Sequence, residues 1–282
     1  MLTWNRYGKS SVRLLKVGRA AGPHDIIDLT LSVGLEGAFE PVYAEGDNTS
    51  CLTTDAMKNT IYAFARQDPI DHVEAFASRL AGHFGAKPGV TLARIEAVEH
   101  PWTRLPVHGQ PHPHAFAQAG GEEWTCAVTR GADKTSVEAG VRGLVVLKTA
   151  DSAFAGFLRD EFTTLPETRD RLLGTSITAV WQYAPGFTGY GERDVIRRAL
   201  VETFAAHKSE SVQHTLYAMG EAALAACAGI VDITISLPNR HYLLADLTPF
   251  GLENPGEVFV ATDRPYGLIE ARLSRQPSGG RP

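Results

Sequence analysis

Residues 27–35, IDLTLSVGL, alternate strictly between apolar side chains and polar or small ones. Successive side chains of a β-strand point to opposite faces, so this pattern predicts a strand with one buried and one polar face. Residues 11–17 have a similar extended character, and the segment between the two stretches contains the turn-forming pair Gly22 and Pro23. The sequence therefore predicts that the chain begins with a β-hairpin.

Two helices are expected after this hairpin. Met57 and Ile61 recur at helical spacing behind Thr54, which suits a helix start. A second apolar stripe begins at Asp68 and is closed by Gly85. Two further strands are predicted at residues 90–98 and 123–129.

The second half of the chain repeats this order. Residues 231–237, VDITISL, alternate as cleanly as the opening strand, and two helical stripes precede them. One contains Ile196, Leu200 and Phe204, spaced four apart, and the other covers residues 212–227. The remaining strands of the second half are predicted at residues 136–148, 176–183 and 258–261.

Strands with one polar face, separated by pairs of helices, predict an α+β fold in which the helices pack on one side of antiparallel sheets. The repeat predicts two tandem domains, residues 1–133 and 134–282, the second with a short flexible tail at residues 276–282. Open sheet edges are a hazard that closed barrels remove. We therefore expect these sheets to close into a barrel when the chain oligomerises.

Composition excludes several classes of protein. A formal net charge of −5 argues against a nucleic-acid-binding surface, and no apolar stretch is long enough for a membrane span. The three cysteines are too widely spaced for a zinc site or a disulfide framework, which indicates a reducing compartment. With no secretory signal and no peroxisomal signal in its final residues, SGGRP, the chain is expected in the cytoplasm.

The segment HGQPHPH contains His108, His112 and His114, and imidazoles are good ligands for transition metals. Pro111 and Pro113 favour an irregular exposed loop, and no carboxylate or cysteine of standard spacing is close by. We therefore expect no metal site here. Phosphate-binding glycine motifs are also missing from the sequence, which gives no support for a nucleotide cofactor.

Five segments place polar residues where a predicted helix or strand begins or ends. YGKSS puts a lysine just before the first strand, and TTDAMKNT opens a helix. ETRDR lies shortly before a strand, SVQHTLY covers a first helical turn, and LPNRHY ends a strand. The candidate residues of these segments are Lys9, Thr54, Asp55, Arg171, Gln213, Asn239 and His241.

These segments resemble the uricase family in order and spacing over essentially the whole chain. FAGFLRDEFTTLPETRDR (residues 154–171), TDAMKNT (residues 54–60) and LPNRHY (residues 237–242) are together too long for a chance match. The resemblance implies two tunnelling-fold domains per subunit and a homotetramer with active sites between subunits. It also implies that urate is oxidised by dioxygen and water to 5-hydroxyisourate and hydrogen peroxide, without a metal or organic cofactor.

By the same resemblance, Phe154 stacks on the purine while Arg171 and Gln213 grip its edge. These residue types suit such a task, because arginine offers a planar fork of donors and glutamine offers both a donor and an acceptor. Val212 is expected to present a backbone N–H group at a helix N-terminus, where an anion is favoured.

The resemblance assigns proton transfer to Lys9, Thr54 and His241, and assigns Asn239 to holding water or dioxygen above the ring. Thr54 and Asp55 are expected to offer backbone N–H groups to the substrate at the other helix N-terminus. Lysine is a useful base only when burial or a nearby cation lowers its pKa from about 10.4.

Two other functions fit the pattern. A pterin-type cyclohydrolase or aldolase of the same fold would use zinc or a glutamate anchor, and an inactive purine-binding or scaffold protein needs no chemistry. Singly, Lys9 and Arg171 also fit solvated surface charges, Thr54 an ordinary N-cap and Phe154 a core residue.

Overall fold

The computed structural model describes residues 1–19 and 22–275, so the predicted tail at residues 276–282 lies outside the described residues. The helices are α1 Glu40–Ala44, α2 Thr54–Gln67, α3 Val73–Gly85, α4 Arg193–Ala206 and α5 Val212–Ala226. The strands are β1 Tyr7–Gly18, β2 Asp25–Gly37, β3 Val90–Glu99, β4 Trp102–Val107, β5 Gln110–Gln118, β6 Glu123–Arg130, β7 Thr135–Lys148, β8 Leu173–Tyr183, β9 Ile230–Leu244 and β10 Phe259–Ser274.

The chain divides into two compact units. The first contains Met1–Val141 and Val180–Arg193, and the second contains Arg142–Ala179 and the chain from Asp194 onward. Boundaries between the two units fall within β7 and within β8, away from the predicted boundary at residues 133 and 134. That boundary, which concerns the sequence repeat, stays a prediction.

The first unit is built on an antiparallel sheet with the order β1-β2-β3-β6, continued by β7 and β8. The apolar face predicted for β2 is buried, with Leu29, Leu31 and Leu35 fully shielded beside Met57 of α2 and Leu80 of α3. Burial of this face against two helices confirms the predicted hairpin and the predicted helix pair. It leaves the opposite face of the sheet to polar residues.

The second unit has the strand order β7-β8-β9-β10, and β9 and β10 pair antiparallel over most of their length. Helix α5 lies close to this pair. A Cβ atom on Gly220 would stand 2.7 Å from a methyl carbon of Leu273, so a larger residue at this position would force the Leu273 side chain to move. The helices and antiparallel strands of both units confirm the α+β prediction.

Several sequence predictions were wrong in detail, including the strand predicted at residues 258–261, which runs from Phe259 to Ser274 as β10. The HGQPHPH segment is part of a hairpin of β4 and β5, whose turn holds His108 at φ 51° and Gly109 at φ 77°. Positive φ at both central residues gives the tight turn that two-residue hairpins prefer. Helix α3 begins at Val73, because α2 runs to Gln67 and the chain needs the intervening residues to change direction. Strand β9 continues well beyond residue 237 because β10 pairs with it as far as Leu244.

Candidate active site

Lys9 lies within β1, opposite Val33, and is half-buried; the prediction that it precedes the strand was wrong. Its neighbour Gly8 is required here, because a Cβ atom at that position would stand 1.8 Å from the carbonyl oxygen of Val33. Directly after Lys9 the strand register shifts, with Ser11 at φ 56° and its N–H donating to Ser32 Oγ at 3.1 Å. The backbone on both sides of Lys9 is therefore fixed.

The N-terminus of α2 holds Thr54 and Asp55. Thr53 is the N-cap and its hydroxyl accepts from Ala56 N at 3.1 Å, so Thr54 is the first helical residue and is exposed. The first N–H groups of a helix have no partner within it and carry the positive end of its dipole. The segment TTDA thus places backbone donors at a solvent-facing helix end.

Asp55 uses its side chain to organise this turn. Its carboxylate accepts from Lys58 Nζ at 2.5 Å and from Asn59 Nδ2 at 2.9 Å. The hydrogen bond from Lys58 is the main cause that lowers the pKa of Asp55, and the charge of Lys9 adds to it. The fold therefore places Lys9 within electrostatic range of the start of α2.

Phe154 and Arg171 meet in the second unit. Phe154 forms an isolated antiparallel bridge with Thr168, with backbone hydrogen bonds of 2.8 and 3.0 Å. This bridge returns the chain so that the guanidinium carbon of Arg171 lies 5.3 Å from the centre of the Phe154 ring. The ring also stacks on Phe157, with centres 4.9 Å apart and planes 15° apart.

The guanidinium of Arg171 is not saturated by the protein. Its Nε atom is buried and has no hydrogen-bond partner among the described residues. Burial also lowers the pKa of Arg171, although an arginine remains charged at any physiological pH. A buried donor without a partner costs free energy, which a planar acceptor would remove.

Backbone hydrogen bonds tie the Phe154 segment to the start of α5. Ala153 N donates to Ser209 O at 2.7 Å, and Ser209 N donates to Asp151 O at 2.9 Å. Ser211 then caps α5 by accepting from His214 N at 3.1 Å. Val212 is consequently the first residue of α5, and it is buried, while the next residue, Gln213, is exposed. These hydrogen bonds hold the residues just before Phe154 against the residues that lead into α5.

Asn239 and His241 lie inside β9 and not at its end, as the sequence had suggested. They pair with Gly267 and Thr262 of β10, and the strand register shifts between these two pairs. Residues two apart on a strand share a face, and both side chains are half-buried. The irregularity in β10 therefore falls opposite the two predicted site residues.

The candidate residues fall into two groups, one in each unit of the chain. Lys9, Thr54 and Asp55 belong to the first unit. The second unit contains Phe154, Arg171, Val212, Gln213, Asn239 and His241. Within these groups, interactions join Lys9 to Asp55 and Phe154 to Arg171.

Sequence reasoning missed the residues that support the second group. Phe157 supplies the ring that stacks on Phe154, and Asp170 Oδ1 accepts from Ser152 N at 3.4 Å next to Arg171. The signal for Phe157 was the repeated aromatic in FAGF. Asp170 and Ser209 had no comparable signal, because their roles depend on segments that meet only in the fold.

Residues 1–19 and 22–275 contain no cluster of three or more His, Cys, Asp or Glu side chains placed to hold a metal ion. The imidazole rings of His112 and His114 lie 4.4 Å apart on β5. In the same part of the chain, every helix is too short or too polar to cross a membrane.

Comparison with known proteins gives a consistent result. The family model for uricase matches residues 5–129 and 137–270. A uricase from Arthrobacter globiformis is 42% identical, with 99% of this chain and 91% of the relative covered. A uricase from Aspergillus flavus is 39% identical over 96% of this chain and 95% of its own.

Solved structures agree with these relatives. The crystal structure of the Arthrobacter globiformis uricase matches with a TM-score of 0.93 at 41% identity, covering 100% of this chain and 97% of the other. A uricase from Bacillus fastidious has the same fold, with a TM-score of 0.81 at 22% identity over 96% of this chain and 93% of its own. These likenesses confirm the predicted tunnelling fold. The chain belongs to the uricase family, whose members oxidise urate.

Proposed function

We propose that this chain oxidises urate with dioxygen and water to 5-hydroxyisourate and hydrogen peroxide, using neither a metal nor an organic cofactor. One observation carries the proposal: the Arg171 guanidinium lies over the Phe154 ring with its buried Nε donor unpaired. A flat anion rich in oxo groups and ring nitrogens suits this arrangement, since it stacks on an aromatic ring and accepts from a planar fork.

The substrate is held by two edges and one face in this proposal. Arg171 donates to an oxo group and a ring nitrogen on one edge, and the Gln213 amide pairs with the neighbouring donor and acceptor. Phe154 covers a face of the ring. The N–H group of Val212 at the start of α5 adds a donor, favoured for an anion by the helix dipole.

The start of α2 binds the opposite edge of the substrate ring, where Thr54 and Asp55 offer backbone N–H groups. The Asp55 carboxylate is occupied by Lys58 and Asn59, which supports a role for its backbone and not for its side chain. Lys9 acts electrostatically on Asp55 at this helix end, which supports pairing its ammonium with the Thr54 hydroxyl in the proton relay.

The electrons come from the substrate itself. A deprotonated urate ring is electron-rich and can pass one electron to dioxygen, after which the two radicals combine to a hydroperoxide at ring carbon 5. The C5–O bond then breaks, peroxide leaves with a proton, and water forms a new C5–OH bond. Lys9, Thr54 and His241 move these protons and Asn239 holds the water or dioxygen above the ring. Positioned acid–base groups of this kind contribute about 10²- to 10⁴-fold to a rate.

The proposed reaction requires a homotetramer for full activity, with each active site formed between subunits. The catalytic Lys9 and Thr54 and the substrate-gripping Arg171 and Gln213 fall in different units of the chain, which supports sharing of the site between neighbouring subunits.

The direct test is an assay with metal-stripped protein in a chelating buffer. Urate should disappear, as followed by its ultraviolet absorbance, with equal consumption of dioxygen and equal formation of hydrogen peroxide. Activity that returns only when a metal is added, or turnover of a pterin precursor instead of urate, would favour the pterin-type rival. Protein that binds urate but never consumes it would favour the inactive purine-binding protein.

A further inference from the structure

Two histidines contact each other at the beginning of α5, beside the proposed substrate clamp. The rings of His207 and His214 lie 4.4 Å apart and are inclined by 73°. His214 is the third residue of α5 and follows Gln213 directly, while His207 precedes the helix. Neither histidine has a place in the mechanism derived above.

His207 is anchored on two further sides. Its ring Nδ1 lies 3.2 Å from the hydroxyl of Thr215, a fully buried residue of α5. Its carbonyl oxygen accepts from Lys148 Nζ, at the end of β7, at 2.5 Å. Lys148, His207 and His214 therefore form a row of basic groups that fixes the chain just before α5.

Charges of both signs surround this row. The carboxylates of Asp151 and Asp170 act on Lys148, and the exposed Lys208 and Glu210 lie 3.9 Å from each other, whereas the charges that act on His207 are basic. Burial lowers the pKa of His207, and the charges of His214 and Lys148 lower it further. A cation in the first turn of a helix is also opposed by the helix dipole.

We propose that His207 and His214 form a proton-sensitive positioning pair for Gln213. While both rings are neutral, their contact holds the first turn of α5 in place. When the pH falls, protonation places imidazolium charge beside the Lys148 ammonium and at the positive end of α5. The rings then separate, the first turn loosens, and Gln213 loses its position at the substrate edge. The effect on urate binding rests on the proposed function, whereas the effect on the helix does not.

The test uses the full-length protein and the variants His214→Gln and His207→Gln, which remove one ring without adding charge. His108→Asn, on the exposed turn of the β4–β5 hairpin, is the matched control. Amide hydrogen exchange of the first α5 turn is followed between about pH 5.5 and about pH 7.5, where histidines titrate. The histidine ring protons are titrated by NMR, and kcat and KM for urate are measured across the same range.

After correction for the intrinsic pH dependence of amide exchange, we expect weaker protection of the wild-type turn at acid pH and a rise in KM of about threefold to tenfold, with little change in kcat. In His214→Gln the pKa of His207 should rise. Both His214→Gln and His207→Gln should reduce the pH dependence of hydrogen exchange and of KM. His108→Asn should behave as wild type. The proposed role of the pair would be overturned if the hydrogen-exchange and KM profiles of His207→Gln and His214→Gln both superimposed on those of the wild type. Failure of wild-type protein to bind or consume urate would instead defeat the proposed function, and hydrogen exchange would still decide the pair.

Discussion

At the scale of single residues, Arg171 has the largest part in the proposed binding of urate. Lysine keeps the positive charge but offers one compact ammonium in place of a planar fork. We expect Arg171→Lys to raise KM for urate by about tenfold or more, because hydrogen bonds to charged groups contribute about 1.5–3 kcal/mol. Steady-state kinetics measure this, and Arg169→Lys, at an exposed position two residues away, is the control. An unchanged KM in Arg171→Lys would remove the residue from the clamp.

Glu74 gives a prediction about stability. Its side chain is 1% exposed, its Oε2 atom has no hydrogen-bond partner among the described residues, and burial raises its pKa above 4.5. The folded protein therefore holds this proton more tightly than the unfolded chain, so the free energy of unfolding falls as pH rises from 4.5 to the folded pKa. Glu74→Gln should flatten that part of the profile in denaturant titrations at several pH values. An identical pH slope in both proteins would contradict it.

The sequence proposed residue types for the site but not their side-chain partners. Arg171, Gln213 and Lys9 were proposed from the motifs around them, and the resemblance to uricases was carried by those motifs. The partner of Phe154 was not predictable, because its contact with Arg171 depends on the bridge between Phe154 and Thr168. No local pattern encodes a bridge between two segments of irregular chain.

At the scale of elements, the caps of α2 and α5 position the backbone donors that the proposed site uses. Ser211→Ala removes the hydroxyl that accepts from His214 N, a loss that typically costs about 1 kcal/mol. We expect the midpoint of thermal unfolding to fall by about 2–4 °C, by the scaling for domains of this size, and KM for urate to rise. Calorimetry and kinetics measure both, and Ser211→Thr, which keeps a hydroxyl, should restore most of the loss. Unchanged stability and KM in Ser211→Ala would show that the cap is dispensable.

Alternation and helical spacing predicted most elements, but local chemistry decided their ends. Thr53 and Thr54 are both acceptable caps, and the choice follows from Leu52 N donating to the Tyr7 hydroxyl at 3.0 Å, which fixes the loop before the helix. The β4–β5 hairpin was missed because Pro111 and Pro113 suggested a loop. A two-stranded hairpin tolerates them, since each strand has one side without a partner strand.

At the scale of the whole molecule, the chain has surfaces suited to self-association. Large apolar side chains on β9 and β10 are exposed, among them Leu243, Val260, Tyr266 and Leu268. Leu243 and Val260 are cross-strand neighbours, and exposed apolar patches are typical of contact sites. β1 and β10 each have one neighbouring strand among the described residues, so each offers a free edge. Barrel closure through these edges stays a prediction, and a stable monomer of 30.5 kDa in solution would contradict it.

The central claim is that Lys9 with Thr54, and Arg171 with Gln213, complete one urate site only when subunits meet. Mixing Lys9→Ala and Arg171→Ala chains tests it most directly. Each variant alone should be nearly inactive, and tetramers that have exchanged chains should regain part of the wild-type activity, because some of their sites receive an intact residue from each partner. No recovery of activity, in mixtures where mass spectrometry shows that chains have exchanged, would contradict a site shared between subunits.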